Sequence, residues 1–121
     1  MDRAALHRWL TAYEAAWRAP GTGALGALFA EDAVYLTSPV DPPVRGLDAI
    51  RGLWERGRDA GEEFGVEWEI VAIDGDTGVV RLRVDYRAPE AAVFRDLWII
   101  RLGEDGRCRH FEEWYAREPS G

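Results

Sequence analysis

Hydrophobic residues recur at helical spacing near the start of the chain. Leu6, Trp9, Leu10, Tyr13 and Trp17 follow one another every three or four residues, which predicts an amphipathic helix from about residue 3 to residue 18. The helix is expected to end at the Pro-Gly pair at positions 20 and 21, which cannot continue it. Its apolar side must then pack against another element.

Two shorter helices are predicted before the middle of the chain. One runs from about residue 22 to residue 29, and the other from about residue 47 to residue 58. The later helix has an apolar side that is made of Leu47, Ile50, Leu53 and Trp54.

The second half of the chain changes to a period of two. Apolar residues from Val80 to Tyr86 alternate with charged ones, and residues 66–72 alternate in the same way. With turn-forming residues at 74–78, this pattern predicts a hairpin in which Glu67 faces Arg83. A second hairpin is predicted to turn at residues 103–106 and to join a strand near 93–102 to one near 107–116.

The order of these elements, with helices first and an antiparallel meander afterwards, predicts an α+β fold. A chain of 121 residues is expected to form one domain, residues 1–121. We expect a curved antiparallel sheet to wrap around the long N-terminal helix as a cone, of the cystatin-like α+β barrel type. The open mouth of such a cone is a ready ligand cavity.

Composition and charge narrow the possible partners. The net charge of −7 argues against nucleic acid, because phosphate binding needs clustered positive charge. Cys108 is the single cysteine, and His7 is far in sequence from His110, so no disulfide, metal site or cofactor is expected. No signal segment and no long uncharged apolar run is present, so we expect a cytoplasmic protein without a membrane partner.

Two carboxylates interrupt the apolar face of the last predicted hairpin. If its loop is residues 103–106, Asp96 lies directly opposite Glu113, while Cys108 and His110 point outward. Two carboxylates on an apolar wall repel each other and lose hydration, so at least one pKa should rise and the pair should share a proton. That arrangement suits general acid–base catalysis near neutral pH. The other residues on this face are aromatic: Phe94, Trp98, Phe111 and Tyr115.

The segment ALFAEDAVYLTSP at residues 27–39, followed by PPVRGLDAI at residues 42–50, reads as a helix end, an acidic turn, a short strand, a proline-rich loop and a new helix. Placed after one amphipathic helix and before four long strands, this pattern resembles the nuclear transport factor 2-like superfamily. That superfamily includes ketosteroid isomerases, SnoaL-like polyketide cyclases, scytalone dehydratase and limonene epoxide hydrolase. The resemblance covers nearly the whole chain and implies the cone-shaped fold.

The resemblance also implies roles for single residues. In comparison with ketosteroid isomerases, Tyr13 matches a tyrosine that helps to hold an oxyanion, and Trp54 matches a pocket aromatic residue. Ser38 stands where those enzymes have their catalytic aspartate, and a serine cannot serve as a carboxylate base. Trp98 stands where they have a neutral carboxylic acid, with Asp96 two residues away on the same face. A ketosteroid isomerase is therefore not expected.

Other branches of the superfamily differ in the chemistry they need. The epoxide hydrolases need an inward Asp–Arg–Asp trio, whereas Arg83, Asp85 and Arg87 are expected to point outward. Scytalone dehydratase chemistry needs an inward histidine, whereas His110 is expected on the outer face. SnoaL-like cyclases place acid–base residues around an apolar cavity, and this pattern fits best.

Two functional hypotheses follow. The first is an isomerase, cyclase, dehydratase or hydrolase that performs cofactor-free acid–base chemistry on a small apolar or polyketide-like molecule. Asp96, or alternatively Glu113, would be its acid–base, and Tyr13 would donate to an oxyanion. The second is a non-catalytic ligand-binding or dimerisation module of the same fold. In both, the residues expected to line the cavity are Trp17, Tyr35, Ser38, Trp54, Trp68, Trp98, Phe111 and Tyr115.

A homodimer is expected through the outer face of the sheet. Leu97, Ile99 and Trp114 alternate outward on neighbouring strands and would form an exposed apolar patch on a monomer. A two-fold axis through this face would bury the patch.

Overall fold

The computed structural model describes residues 1–57 and 62–119. Helices precede most of the sheet, which confirms the α+β order, and α1 matches the predicted first helix. The elements in chain order are α1 (Arg3–Arg18), α2 (Leu25–Leu28), β1 (Phe29–Leu36), β2 (Val44–Arg45), α3 (Leu47–Gly57), β3 (Glu63–Asp74), β4 (Thr77–Ala88), β5 (Ala92–Leu102) and β6 (Cys108–Arg117).

Helix α2 is shorter than predicted. It begins at Leu25 rather than near residue 22, since Gly21 has a positive φ of 76° and the backbone N–H of Leu25 closes a turn onto Thr22 O at 3.2 Å. Helix α3 begins at Leu47 as predicted. Its predicted last residue, at position 58, lies outside the described residues.

The six strands form one curved sheet in the order β2-β1-β6-β5-β4-β3. Strands β3 to β6 make the predicted antiparallel meander, and Glu67 pairs with Arg83 as expected. Strand β1 departs from the expected pattern, because it runs parallel to β6 and joins the meander to β2.

Helix α1 lies against the concave face of this sheet. Asp2 caps its first turn, accepting a 2.8 Å hydrogen bond from the Ala5 N–H, which satisfies one of the free donors at a helix start. Leu6 packs so closely on β4 that a Cβ at Gly78 would collide with it. The side of the helix predicted to be apolar is the buried one, with Leu6, Trp9, Leu10, Tyr13 and Ala16 in the core.

Burial decreases toward the end of the cone where α1 ends. Leu6, Val80 and Ile100 are fully buried beside the start of α1. Near its C-terminus, Trp17 and Tyr86 are only half-buried, and Tyr115 is 55% exposed. The fold therefore fills one end of the cone with aliphatic side chains and leaves the other end open between α1, α3 and the sheet.

Candidate functional site

The open end of the cone contains a cleft with two adjoining lobes of about 270 and 510 Å³. Five residues line both lobes: Trp17, Thr37, Gly57, Tyr86 and Glu113. The inner lobe is further lined by Tyr13, Tyr35, Leu53, Trp54 and Trp98, and the outer lobe by Val84, Phe94, Asp96 and Tyr115.

Strand alternation turns the two carboxyl groups into this cleft. Asp96 follows the same face as its neighbours Phe94 and Trp98 on β5, and Glu113 lies on the inward face of β6. The prediction that these residues share one face is confirmed. The predicted pairing is wrong, because Asp96 is opposite Tyr115 and Glu113 is opposite Trp98.

The difference arises at the turn before β6. Gly103 bonds to Arg107 O at 2.8 Å, and Gly106, with a φ of 82°, completes a three-residue loop. This loop moves the pairing by one residue from the predicted one, and the ladder then skips Arg109, which moves the rest of β6 by one more. Because of the loop, Cys108 pairs with Leu102, faces inward and is fully buried, which corrects the expectation that it points outward.

Asp96 and Glu113, which we call the carboxyl pair, are thus diagonal neighbours rather than directly opposed. Asp96 is only 8% exposed, and its Oδ1 atom has no hydrogen-bond partner in the described part of the chain. Glu113 accepts a 3.1 Å hydrogen bond from the indole Nε1 of Trp98 through Oε2. A buried carboxylate oxygen without a partner is costly, so this position requires a ligand or solvent donor.

Burial, the charge of Asp96 and a hydrogen bond between the two carboxyls together raise the pKa of Glu113 to about 8, while the hydrogen bond from Trp98 acts in the opposite direction. Burial also raises the pKa of Asp96, although hydrogen bonds from Glu113 and Trp98 lower it. The hydrogen bond between the carboxyls therefore favours a proton on Glu113 and a charge on Asp96. These directions agree with the expectation that the pair shares one proton near neutral pH.

A pair of tyrosine hydroxyl groups lies on the opposite wall of the inner lobe. The hydroxyl oxygens of Tyr13 and Tyr35 are 3.1 Å apart and form a buried hydrogen bond. Burial raises the pKa of both well above the ordinary value, so both remain neutral donors at physiological pH. The Tyr13 ring also contacts the rings of Trp98 and Trp54, with centroids 4.8 and 5.3 Å apart.

A continuous row of aromatic rings runs beside the cleft from the core to its rim, and all of its members except the buried Phe64 line one of the two lobes. Consecutive centroids along this row are 6.4, 4.4, 5.6, 5.8 and 6.1 Å apart. We call it the ring belt, and its members in order are Trp98, Trp17, Phe64, Tyr86, Phe94 and Tyr115.

This geometry agrees with what comparison with known proteins shows. A family model described as a SnoaL-like domain matches residues 10–111. The chain belongs to the SnoaL-like domain family. The resemblance to the nuclear transport factor 2-like superfamily is thereby confirmed. No curated protein matches the chain at a significant level.

Solved structures similar to this SnoaL-like chain come from several organisms. An epoxide hydrolase of the LEH-like type from M. tuberculosis has 17% identity and a TM-score of 0.74, over 93% of this chain and 84% of that one. A protein with a ketosteroid isomerase-like fold from Catenulispora acidiphila, in complex with trimethylamine, has 25% identity and a TM-score of 0.69, over 89% and 85%. A SnoaL-like family protein from Agrobacterium tumefaciens has 18% identity and a TM-score of 0.72, over 93% and 98%. The first and third show the shared fold alone.

Most residues predicted to line the cavity of this SnoaL-like domain do line the cleft. Three do not. Trp68 lies outside both lobes and packs edge-on against His7, with centroids 6.2 Å apart. Ser38 instead accepts hydrogen bonds from Val40 N and Asp41 N at 3.2 and 3.1 Å, which builds a local turn. Phe111 is fully buried in the core. The predicted residues that do line the cleft are Asp96, Tyr13, Glu113, Trp17, Tyr35, Trp54, Trp98 and Tyr115.

Sequence reasoning missed several lining residues. Thr37 faces the cleft together with Tyr35, and Ser38 does not, a choice that alternation along the first strand leaves open. Tyr86 was readable from the sequence as the inward neighbour of Val84, but nothing in the pattern marks it as a rim residue. Leu53 faces the cleft because it lies on the inward side of α3 beside Trp54.

Other candidate groups lie elsewhere in the chain. Arg83 pairs with Asp85 at 3.6 Å away from the cleft, as expected. His110 pairs with Glu112 at 3.1 Å. Residues 1–57 and 62–119 contain no group of three His, Cys, Asp or Glu side chains arranged to hold a metal ion. Over the same residues, no helix has the length and apolarity needed to cross a bilayer.

Proposed function

We propose that this SnoaL-like domain is an enzyme that transfers a proton on a small, largely apolar molecule without a cofactor. The observation that carries the proposal is the carboxyl pair itself, since Asp96 is buried beside Glu113 in an aromatic cleft with one oxygen unpartnered. A general base must be poised near the working pH and must be able to reach its substrate. Burial raises the pKa of both carboxyls, which supports the first requirement, and both side chains line the outer lobe, which supports the second.

The roles divide between three side chains. Asp96, as the charged member of the pair on the wall of the outer lobe, accepts a proton from a carbon beside a carbonyl group. Glu113 holds the shared proton and donates a hydrogen bond to Asp96, while Trp98 fixes its other oxygen. The substrate carbonyl gains negative charge as its neighbouring carbon loses a proton. The hydroxyls of Tyr13 and Tyr35 share one hydrogen bond, and with Tyr35 as its donor, Tyr13 can donate its own proton to that oxygen. Such preorganised donors stabilise an oxyanion strongly.

The similar structures support an activity on small molecules, without naming a particular reaction for this chain. One is named an epoxide hydrolase, and another contains trimethylamine. Isomerisation, cyclisation and dehydration all share the proposed step, removal of a proton next to a carbonyl or leaving group. Epoxide hydrolysis with an inward Asp–Arg–Asp trio is disfavoured, since Arg83 and Asp85 pair away from the cleft.

Proton transfer can be tested without knowledge of the natural substrate. The apolar bicyclic ketone β-tetralone has acidic hydrogens beside its carbonyl, and their exchange in D₂O is followed by NMR. We expect the protein to accelerate exchange, and Asp96→Asn to lower the accelerated rate by about 10²–10⁴-fold, the usual contribution of a positioned base. Asp85→Asn removes an aspartate that lies away from the cleft and should leave the rate unchanged.

The alternative, a non-catalytic binding module, predicts a different result. In that case β-tetralone binds in the cleft and quenches its tryptophan fluorescence, but its hydrogens exchange no faster than in buffer. Acceleration that persists in Asp96→Asn would also contradict the proposal, because another group would then be the base.

A further inference from the structure

The carboxyl pair has no positive side chain beside it in the described residues. Within residues 1–57 and 62–119, no Arg or His forms an ion pair with Asp96 or Glu113. A pair with one shared proton carries one negative charge, and a buried charge is tolerated when it is paired. Both carboxyl side chains line the outer lobe, and the buried Oδ1 of Asp96 has no hydrogen-bond partner in the described residues.

The ring belt surrounds this charge with aromatic faces. Trp17 lines both lobes beside Glu113, and Tyr86 and Phe94 line the outer lobe beside Asp96. The face of an aromatic ring attracts cations, and cages of several rings with a nearby carboxylate suit alkylated ammonium groups, which are too apolar to be strongly hydrated. Such a group matches both the charge and the walls of this cleft.

The ring belt already contacts cations of the chain itself. The guanidinium carbon of Arg18 is 4.4 Å from the centroid of the Phe64 ring, and that of Arg117 is 6.0 Å from the Phe94 ring. Both arginines form ion pairs elsewhere, Arg18 with Glu14 and Arg117 with Glu90. Neither of these two arginines therefore forms an ion pair with the carboxyl pair.

From these contacts we infer that the ligand of this cleft carries an alkylated ammonium group, which binds between the carboxyl pair and the ring belt. The inference rests on the proposed function in one respect, which is that both place the ligand in this cleft. It names the class of substrate, a small apolar molecule with a tertiary or quaternary amine. Among residues 1–57 and 62–119, the other ionisable groups that line the two lobes are Tyr13, Tyr35, Tyr86 and Tyr115, and Glu62 lies near Tyr86. None of these named groups brings a positive charge.

The test compares two molecules of equal shape. Choline carries a trimethylammonium group, and its neutral carbon analogue carries a tert-butyl group in the same place. Binding of each to the wild-type protein is measured by NMR titration at about pH 7.5. We expect choline to bind at least about tenfold more tightly, the size of effect that cation–π contacts and one charge pair produce together.

Two variants identify the residues responsible. Asp96→Asn combined with Glu113→Gln should reduce choline to the affinity of the neutral analogue, and the single Asp96→Asn variant serves if the double variant does not fold. Trp17→Leu should weaken choline more than the analogue, whereas Trp114→Leu, on an exposed tryptophan outside the cleft, should change neither.

Equal affinities of the two molecules for the wild-type protein, or no binding of either, would overturn the inference. A preference for choline that survives loss of both carboxyls would overturn it as well. The outcome is separate from that of the proposed function. Ketone exchange without a preference for choline leaves the enzyme proposal standing, and a preference for choline without ketone exchange leaves the ligand class standing.

Discussion

The indole Nε1 of Trp98 donates a 3.1 Å hydrogen bond to Glu113 Oε2 across directly paired positions of β5 and β6. An indole N–H can only donate, so Oε2 is kept as an acceptor. When Glu113 is protonated, its proton is therefore left on the other oxygen, which is free to donate to Asp96. The Trp98 contact itself lowers the pKa of Glu113, so burial and the neighbouring Asp96 are what keep the proton on Glu113.

Stability should decrease as the pH rises from about 5 to 8. Folding raises the pKa of Glu113 from 4.5 to about 8, so in this range the folded protein holds a proton that the unfolded chain has released. The free energy of unfolding therefore falls with rising pH. Urea denaturation across the range measures this slope, and Glu113→Gln should flatten it while keeping an acceptor for Trp98. A wild-type slope of zero or of opposite sign would contradict a buried protonated Glu113.

The variants Tyr13→Phe and Trp54→Ala should show how much the tyrosine hydroxyl pair and the aromatic wall each contribute to the free energy of unfolding. Tyr13→Phe removes one hydrogen bond to Tyr35, which retains a bond with Trp54, so the free energy of unfolding should fall by only about 0.5–1.5 kcal/mol. Trp54→Ala empties a largely buried position and should cost about 3–5 kcal/mol. Chemical denaturation measures both. Equal losses would mean that the Tyr13 hydroxyl is as essential to packing as a whole indole ring.

We propose that the outer face of the sheet forms a homodimer. Leu97 is 36% exposed and Trp114 is 47% exposed, and they are directly paired on β5 and β6, so they form one apolar patch with Ile99. Sedimentation at micromolar concentration should give the mass of a dimer. Leu97→Glu should produce monomers by placing two like charges near the two-fold axis. A wild-type monomer, or a dimer unaffected by Leu97→Glu, would disprove this interface.

Much of the fold was predictable because local patterns and tertiary packing agree. The helical spacing from Leu6 to Tyr13 gave α1 and its buried side, and alternation gave the four meander strands. Alternation also predicted that Asp96 and Glu113 share a face, since every second residue around them is aromatic. The parallel pairing of β1 with β6 joins segments far apart in sequence, and no local pattern carries that information.

The details of the site depended on a feature without a local signal. The extra residue at Arg109 is not a glycine or proline, so nothing in the sequence marks the bulge that moves the pairing of β6 by one residue. The three-residue loop before it moves the pairing by one more and turns Cys108 inward. Ser38 was misplaced for a related reason. Its side chain bonds to its own turn, a local choice that alternation along β1 does not reveal.

The central claim is that the carboxyl pair retains one proton at neutral pH. The most direct test is a pH titration of the side-chain carboxyl carbons by ¹³C NMR, with Asp96→Asn and Glu113→Gln variants to assign the two signals. We expect one carboxyl to titrate near pH 8, and expect Asp96→Asn to lower the pKa of Glu113, because the neighbouring negative charge is removed. Two independent titrations, both in the ordinary carboxylate range below about pH 5, would contradict the account.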